Sequence, residues 1–223
     1  HSHSHNSDSH HTEHTCESTG IFQVKDLQAL RGFNKCGCDQ LGLCERSIPE
    51  GSDAFFKKLM IEPMNIEGPV RGECAADDIN FHLKAVLPEE VTSLSFYSSW
   101  DQDMASVCEV FCDIHNTDDL SFWLGARRSC RRYHTDNVPM RLLVTYAGQG
   151  TEWLPNEAAD RDAYLNLRPN EEILKDPSKR RFVNKWDVAV FRGGRQQGLL
   201  HRTPDAALYG PSILMRLDRD PIE

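Results

Sequence analysis

The sequence predicts an α+β protein in which N-terminal helices pack on a C-terminal antiparallel barrel or jelly roll. Two observations predict this fold. Apolar residues recur at helical spacing up to about residue 117, whereas beyond it they alternate with polar residues, as in strands. Glycines in the second half fall between the alternating runs, where they supply turns. We therefore divide the chain into a tail over residues 1–19, a helical part over 20–117 and a barrel core over 118–223.

The tail is a low-complexity segment that holds six of the ten histidines. It has almost no apolar side chains to offset the entropy of ordering, so we predict that it is disordered. Neutral imidazoles bind Zn²⁺, Ni²⁺ and Cu²⁺, and weak transition-metal binding is therefore expected here; a solvated tail or a purification artefact is the alternative. The tail histidines are His1, His3, His5, His10, His11 and His14.

In the helical part, apolar residues at intervals of three and four predict helices. A clear stripe marks residues 101–115, because five apolar side chains fall on one face of a helix there. The other predicted helices are 21–33, a short one that begins at Ser52 or Asp53, and 80–86. Prolines and glycines interrupt residues 62–74, which we predict to form a loop.

In the barrel core, alternation begins with Leu120, Phe122 and Leu124, which predicts a strand. Four further runs have strand character: 131–136, 141–146, 187–192 and 213–218. A polar, helix-prone insertion lies between residues 156 and 181.

Composition excludes some classes of function. The formal net charge of −9 and the pI of about 5.6 argue against nucleic acid as the main partner. No apolar run is long enough to cross a bilayer, so no membrane partner is expected. The sequence shows no secretory signal, so its eight cysteines are interpreted as reduced thiols of a cytoplasmic protein.

Two groups of cysteines could be drawn as metal sites. Cys36, Cys38 and Cys44 could hold a soft metal, although thiols in a glycine-rich loop are the preferred interpretation. Cys108, Cys112 and His115 lie close together on the helix predicted over 101–115, where a position in the apolar core is preferred for Cys108.

A His-x-Asp pair, His134 and Asp136, begins the main candidate metal site. In an extended segment, residues two apart point to the same face, so both side chains can reach one ion. His201, at the start of a later strand, is the candidate third ligand. Two histidines and one carboxylate form the facial triad of non-haem Fe(II) oxygenases, which leaves positions open for substrate and oxygen. Each residue alone also fits a purely structural role.

Arg216 lies in the last strand-like run and shares a face with Leu214, so it can point into the barrel. A buried arginine needs an anionic partner, and its planar fork suits a carboxylate such as that of 2-oxoglutarate. Tyr146 is a second candidate for contact with that co-substrate. Three more residues are candidates for the substrate pocket: Arg141, Glu152 and Trp153.

The order His-x-Asp, His, Arg resembles that of the Fe(II)/2-oxoglutarate dioxygenases over residues 120–219. The runs CRRYHTDNVPMRLLVTYAGQGTEWLP, WDVAVFRGG, LLHRTP and ILMRLD are similar to the domain of unknown function 1826 family. The first resemblance implies a double-stranded β-helix that binds Fe(II) and 2-oxoglutarate and hydroxylates a small molecule or a protein. The second implies a metal-linked role in a zinc-responsive setting and assigns no substrate. A zinc-binding protein without redox catalysis is therefore the alternative, and a cupin-like hydrolase or isomerase is a third reading.

Overall fold

The structure is a computed structural model that describes residues 20–35, 37, 39–60, 63–126 and 130–220. The strands are β1 Ile21–Val24, β2 Leu41–Cys44, β3 Asn65–Arg71, β4 Asp119–Gly125, β5 Met140–Ala147, β6 Glu152–Leu154, β7 Arg181–Phe182, β8 Val188–Arg192, β9 Leu200–Arg202 and β10 Ile213–Arg219. The α-helices are α1 Ser52–Leu59, α2 Ala75–Lys84, α3 Glu89–Thr92, α4 Ser95–His115, α5 Arg161–Leu165, α6 Asn170–Ile173 and α7 Asp205–Tyr209. Short 3₁₀ helices cover Leu27–Gly32, Gly72–Cys74, Asn156–Ala158 and Pro177–Lys179.

Two sheets organise these strands. The large sheet has seven strands in the order β1-β2-β8-β5-β10-β4-β3, and the small sheet has three in the order β7-β6-β9. Neighbours are antiparallel except for the parallel pair β1 and β2. The prediction of a mixed α+β fold is therefore confirmed.

The large sheet is covered on both faces. On β5, Leu142, Val144 and Tyr146 pack into the main core together with the buried side of α4. Their neighbour Leu143 points to the opposite face, into a second core that also contains Trp153 of the small sheet. Alternation along β5 thus sends successive residues to a helical layer and to the space between the two sheets.

The longest helix, α4, supplies most of the helical layer. Met104, Val107, Cys108 and Phe111 are fully buried along one stripe, which confirms the predicted helix over 101–115. The helix begins earlier than predicted, at Ser95, and ends where the next residue adopts a left-handed conformation. No helix in the described part of the chain is long and apolar enough to span a membrane.

Two segments of the helical part differ from prediction because they pair with distant strands. Residues 21–33 form strand β1 and a 3₁₀ helix, since β1 pairs with β2 at one end of the large sheet. Residues 62–74 contain β3 at the other end, paired only with β4. An edge strand tolerates Pro69, because the missing N–H can face away from the ladder.

The division proposed at residue 117 cuts across one sheet, since β1, β2 and β3 precede it and the rest of the large sheet follows it.

The strand predicted over 131–136 contracts to a single bridge between His134 and His201. The insertion between residues 156 and 181 contains α5 and α6, and Tyr164 and Ile173 from them pack against Leu154 and Leu200 of the small sheet.

Candidate metal centre

The candidate site begins where the small sheet meets the segment before β5. The backbone N–H of His134 donates to the carbonyl of His201, and the N–H of His201 donates to the carbonyl of His134, each at 3.0 Å. This pair of bonds holds the two imidazole rings next to each other, with 4.4 Å between their centroids and 53° between their planes. Asp136 follows two residues after His134. Residues far apart in the chain are therefore fixed together by backbone pairing.

One ligand atom from each of His134, Asp136 and His201 lies within 4.8 Å of the other two. Among the described residues, these three are the only group of at least three His, Cys, Asp or Glu side chains arranged in this way. Asp136 and His201 are 4% and 5% exposed, so neither is an ordinary surface residue. The structure brings together the residues that the sequence named as ligands.

Both imidazoles are oriented through their Nδ1 atoms. Nδ1 of His134 lies 2.8 Å from the carbonyl oxygen of Arg132, and Nδ1 of His201 lies 3.0 Å from that of Leu199. A carbonyl oxygen only accepts, so each Nδ1 carries a proton and Nε2 is the ring nitrogen left to face a metal. Metal-binding histidines are held by hydrogen bonds of this kind.

The two oxygens of Asp136 have different surroundings. Oδ1 lies 3.2 Å from Nη1 of Arg141 and 3.3 Å from Nε2 of His201. Oδ2 is buried and has no hydrogen-bond partner within the described structure. A buried carboxylate oxygen without a partner is costly, and a metal cation next to the two Nε2 atoms would satisfy it. The donor set therefore fits a divalent transition metal.

Electrostatics favour the protonation states that a metal requires. Burial, together with the neighbouring His201, lowers the pKa of His134, so its imidazole is neutral at pH 7. Burial acts to raise the pKa of Asp136, but His201 and Arg141 hold it below its ordinary value, so this carboxylate is ionised. Neutral imidazole and ionised carboxylate are the forms that bind metal.

The three side chains line a pocket of about 270 Å³. Other lining residues come from β4, β5, β9, β10 and the segments beside them; they include Trp123, Cys130, Arg141, Thr151, Arg202 and Arg216. The pocket is thus partly aromatic and rich in arginine, in a protein whose net charge is −9.

Arg216 lies on the pocket wall formed by β10. Its guanidinium stands over the ring of Trp123, 5.1 Å from the centroid, because the two residues are paired in register across β10 and β4. Its buried Nε has no hydrogen bond, and the nearest carboxylate oxygen, Oδ2 of Asp218, is 3.7 Å away. Burial and the nearby Arg141 lower the pKa of Arg216. A carboxylate ligand would relieve this arrangement.

Three other predicted site residues lie away from the pocket lining. Tyr146 points to the helical side of the large sheet, where its hydroxyl donates to Asp103 at 2.9 Å, so its predicted contact with a co-substrate has no support in this geometry. Trp153 is buried in the core between the sheets. Glu152 is 1% exposed and accepts a hydrogen bond from Nε of Arg202 at 3.0 Å. Strand alternation explains the placement of Tyr146, because it lies on the same face of β5 as Leu142 and Val144, opposite to Arg141 and Leu143.

The remaining metal candidates do not form a second site in the described structure. Cys36, Cys38 and the tail histidines lie outside the described residues; those histidines are His1, His3, His5, His10, His11 and His14. Cys44 is buried within β2, and Cys108 and Cys112 are buried on α4.

Sequence reasoning missed several residues that line the pocket, chiefly Trp123, Cys130 and Thr151. It also missed Asp218, which lies beside the pocket. Arg141, expected in the substrate pocket, lines the pocket, and its guanidinium contacts Asp136. The available signal was strand alternation: on β10 and β4, every second residue faces the pocket side. Which of these faces meet requires the register between strands, and a single sequence does not provide it.

Fold and site together define a mixed α+β protein with a candidate His–Asp–His metal centre. The chain belongs to a protein family of unknown function, DUF1826, whose model matches residues 24–218. No curated protein matches the sequence.

The solved structures similar to this chain include the following two. One is a bsmA homolog from Methylobium petroleophilum PM1, with 14% identity and a TM-score of 0.31; the match covers 60% of this chain and 54% of that one, so this chain spans about half its length. The other is AtDAO1, a dioxygenase for auxin oxidation from Arabidopsis thaliana, in a binary complex with 2-oxoglutarate. It is 8% identical with a TM-score of 0.43, and the match covers 91% of this chain and 92% of that one.

Proposed function

We propose that this protein is a non-haem Fe(II)/2-oxoglutarate-dependent oxygenase. One observation carries the proposal: three ligand atoms converge within 4.8 Å in a pocket that also contains Arg216, whose buried Nε has no hydrogen bond. A facial triad and a carboxylate-binding arginine are the two protein parts that such chemistry requires.

The strand order supports a double-stranded β-helix as the finer description of the fold. Four neighbours of the large sheet, β8-β5-β10-β4, face the small sheet β7-β6-β9, and the segment at His134 pairs with β9 as a fourth member. Two facing antiparallel sheets of four strands are the arrangement of a jelly roll. In this arrangement the ligands lie on the small sheet and Arg216 on the large one.

In this proposal, His134 and His201 bind the metal through Nε2 and Asp136 binds it through Oδ2. Fe(II), when bound with 2-oxoglutarate, supplies the activation of oxygen that hydroxylation of a C–H bond needs. The carbonyl groups that accept from both Nδ1 atoms keep the imidazoles oriented toward one point.

Arg216 is proposed to hold the carboxylate of 2-oxoglutarate that is remote from the metal. Trp123, Leu143 and Leu214 line the same wall and place apolar surface beside that contact. Pockets that enclose a drug-sized ligand usually have volumes of about 300–1,000 Å³, so a pocket of about 270 Å³ leaves little room beyond the co-substrate. The primary substrate is then a small molecule or a single protein side chain.

The proposal is tested by metal content and co-substrate binding in full-length variants. We expect His201→Ala to bind one equivalent of metal less than wild type. The tail histidines are the same in both proteins, so the difference reports the candidate centre alone. His82→Ala is the matched control, since His82 is a described histidine whose Nε2 contacts a carbonyl on β3, away from the site. Equal metal content in wild type and His201→Ala would contradict the metal centre.

A second arm tests the oxygenase rather than the metal. Anaerobic addition of Fe(II) and 2-oxoglutarate should give a visible charge-transfer band in wild type. Arg216→Ala should keep its metal but bind 2-oxoglutarate weakly, and Arg216→Lys should recover part of the affinity because the charge remains. Unchanged 2-oxoglutarate affinity in Arg216→Ala would remove Arg216 from its proposed role.

Zinc binding without redox catalysis is the second candidate. Its supporting observation is that two neutral imidazoles and one carboxylate also suit Zn²⁺, with water as a fourth ligand. Zinc in protein purified without chelators, together with no binding of 2-oxoglutarate, would favour this function over the oxygenase.

A further inference from the structure

Four charged side chains of alternating sign form a row along the pocket wall, from the metal centre to the proposed co-substrate anchor. We call Asp136, Arg141, Asp218 and Arg216 the charge row. Nη1 of Arg141 lies 3.2 Å from Oδ1 of Asp136, and Nε of Arg141 lies 2.9 Å from Oδ1 of Asp218. The other oxygen of Asp218 is 3.7 Å from Nε of Arg216. The two inner members therefore connect the two functional ends.

The row follows from the register of two strands. Arg216 pairs with Leu143 across β10 and β5, so Asp218, two residues on, stands beside Arg141, two residues back. The side chains of Asp136, Asp218 and Arg141 are 2%, 19% and 24% exposed, whereas that of Arg216 is 40% exposed. The attraction among the first three is therefore screened less than in a surface pair, and the attraction between Asp218 and Arg216 is screened more than theirs.

We propose that Arg141 and Asp218 are positioning residues that set the metal site and the co-substrate site together. This inference rests on the proposed function. Nη1 of Arg141 contacts Oδ1 of Asp136, so Oδ2 is the oxygen left to bind the metal. Asp218 contacts none of the three proposed metal ligands. Its two carboxylate oxygens lie next to the guanidinium groups of Arg141 and Arg216 and restrain them.

Asp218 is the member on which both sites depend. Arg141 and Arg216 carry like charges on adjacent strands and repel each other, and Asp218 places one carboxylate oxygen against each of them. Replacing this carboxylate with an amide removes the charge that offsets the repulsion. Arg141 then loses one of its two acidic partners, and Arg216 loses its nearest one.

The test compares Asp218→Asn with wild type as full-length proteins. Mn²⁺ affinity is measured by calorimetry without co-substrate, and 2-oxoglutarate affinity is measured with Mn²⁺ present. Removing a direct partner of a metal ligand costs about 10–100-fold in metal affinity, and Asp218 acts on Asp136 through Arg141, so we expect the Mn²⁺ affinity to fall by up to about this factor and the 2-oxoglutarate affinity to fall as well. Loss of only one affinity, or of neither, would overturn the inference.

Glu67→Gln is the matched control, because Glu67 is an exposed carboxylate on β3 that influences Arg216 only through its charge. It should leave both affinities unchanged; an effect equal to that of Asp218→Asn would overturn the inference in favour of a net-charge effect. Arg141→Lys is a second variant, since lysine keeps the charge but lacks the fork that bridges two carboxylates. It should weaken Mn²⁺ binding, and wild-type Mn²⁺ affinity in this variant would also count against the inference.

Failure of the proposed function gives a different result. In that case wild-type protein itself binds no Mn²⁺ at the site or no 2-oxoglutarate, and the inference is lost with it. If wild type binds both but the variants match it, only the inference about Arg141 and Asp218 fails.

Discussion

Asp101 is a carboxylate buried in the middle of α4, outside the candidate site. It is 8% exposed, and its Oδ1 has no hydrogen-bond partner among the described residues. Burial and the nearby charge of Asp77 raise its pKa to about 6, and Lys84 opposes the shift. In the unfolded chain this pKa is 3.8, so between these two values the folded protein binds more protons. Stability contributed by this group is therefore present below about pH 4 and is lost as the pH rises toward 6.

We predict that Asp101→Asn stabilises the protein at pH 7, because the amide removes a buried charge. The expected gain is about 1 kcal/mol, or roughly 2–4 °C in the melting temperature of a protein of this size. The difference from wild type should shrink as the pH falls to 4, where the native carboxyl is protonated. Thermal unfolding at several pH values checks this, with Glu109→Gln on the exposed face of α4 as the charge-removal control. A gain that is independent of pH would contradict the assignment to Asp101.

The turn after β8 is the element that holds Asp136 in place. Gly193 N–H donates to the carbonyl of Pro139, and Gly194 N–H donates to the carbonyl of Asp136, each at 2.9 Å. A Cβ on Gly193 would lie 1.8 Å from the carbonyl oxygen of Val138 and 2.7 Å from that of Asp136. Only glycine permits this approach, so the spacing between the turn and the metal-ligand segment depends on it.

We predict that Gly193→Ala displaces Asp136 and weakens metal binding by about 10–100-fold, the range seen when support of a metal ligand is removed. Gly210→Ala is the control, because the nearest atom to its added Cβ is a carbonyl oxygen at 3.1 Å and it lies outside the turn. Metal titration measures the affinity, and circular dichroism of the same variant distinguishes a local shift from unfolding. Wild-type metal affinity in Gly193→Ala would show that this turn does not support the ligand.

How far the sequence predicts each element depends on where its partners lie. Helix α4 and strands β4, β5, β8 and β10 were found because their apolar periodicity is local and strong. Strands β1 and β3 were missed because each owes its conformation to a partner elsewhere in the chain, β2 and β4. The same limit applies to the site: His-x-Asp spacing is local, but the contact between Arg141 and Asp218 depends on the register of β5 against β10.

The whole molecule is connected by strands and side chains that cross the division at residue 117. β3 covers β4 at one end of the large sheet, and β2 covers β8 at the other. Arg46, just after β2, binds Asp103 of α4 through two nitrogens at 2.6 and 3.0 Å and donates to the carbonyl of Trp186 at 2.7 Å. Tyr146 of β5 donates to the same Asp103 at 2.9 Å. Helical layer and sheet therefore form one core rather than two independent ones.

We predict that residues 118–223 do not fold alone, although the candidate ligands all lie within them. Removing the preceding part exposes two strand edges and the apolar face that α4 covers, and this loss exceeds what the remaining contacts can offset. The fragment should show no cooperative thermal transition and no metal binding at the site. Residues 20–223 are the control, since this chain keeps all ten strands and should unfold cooperatively. A sharp transition in the shorter fragment, with metal bound, would mean that the barrel is independent of the helical layer.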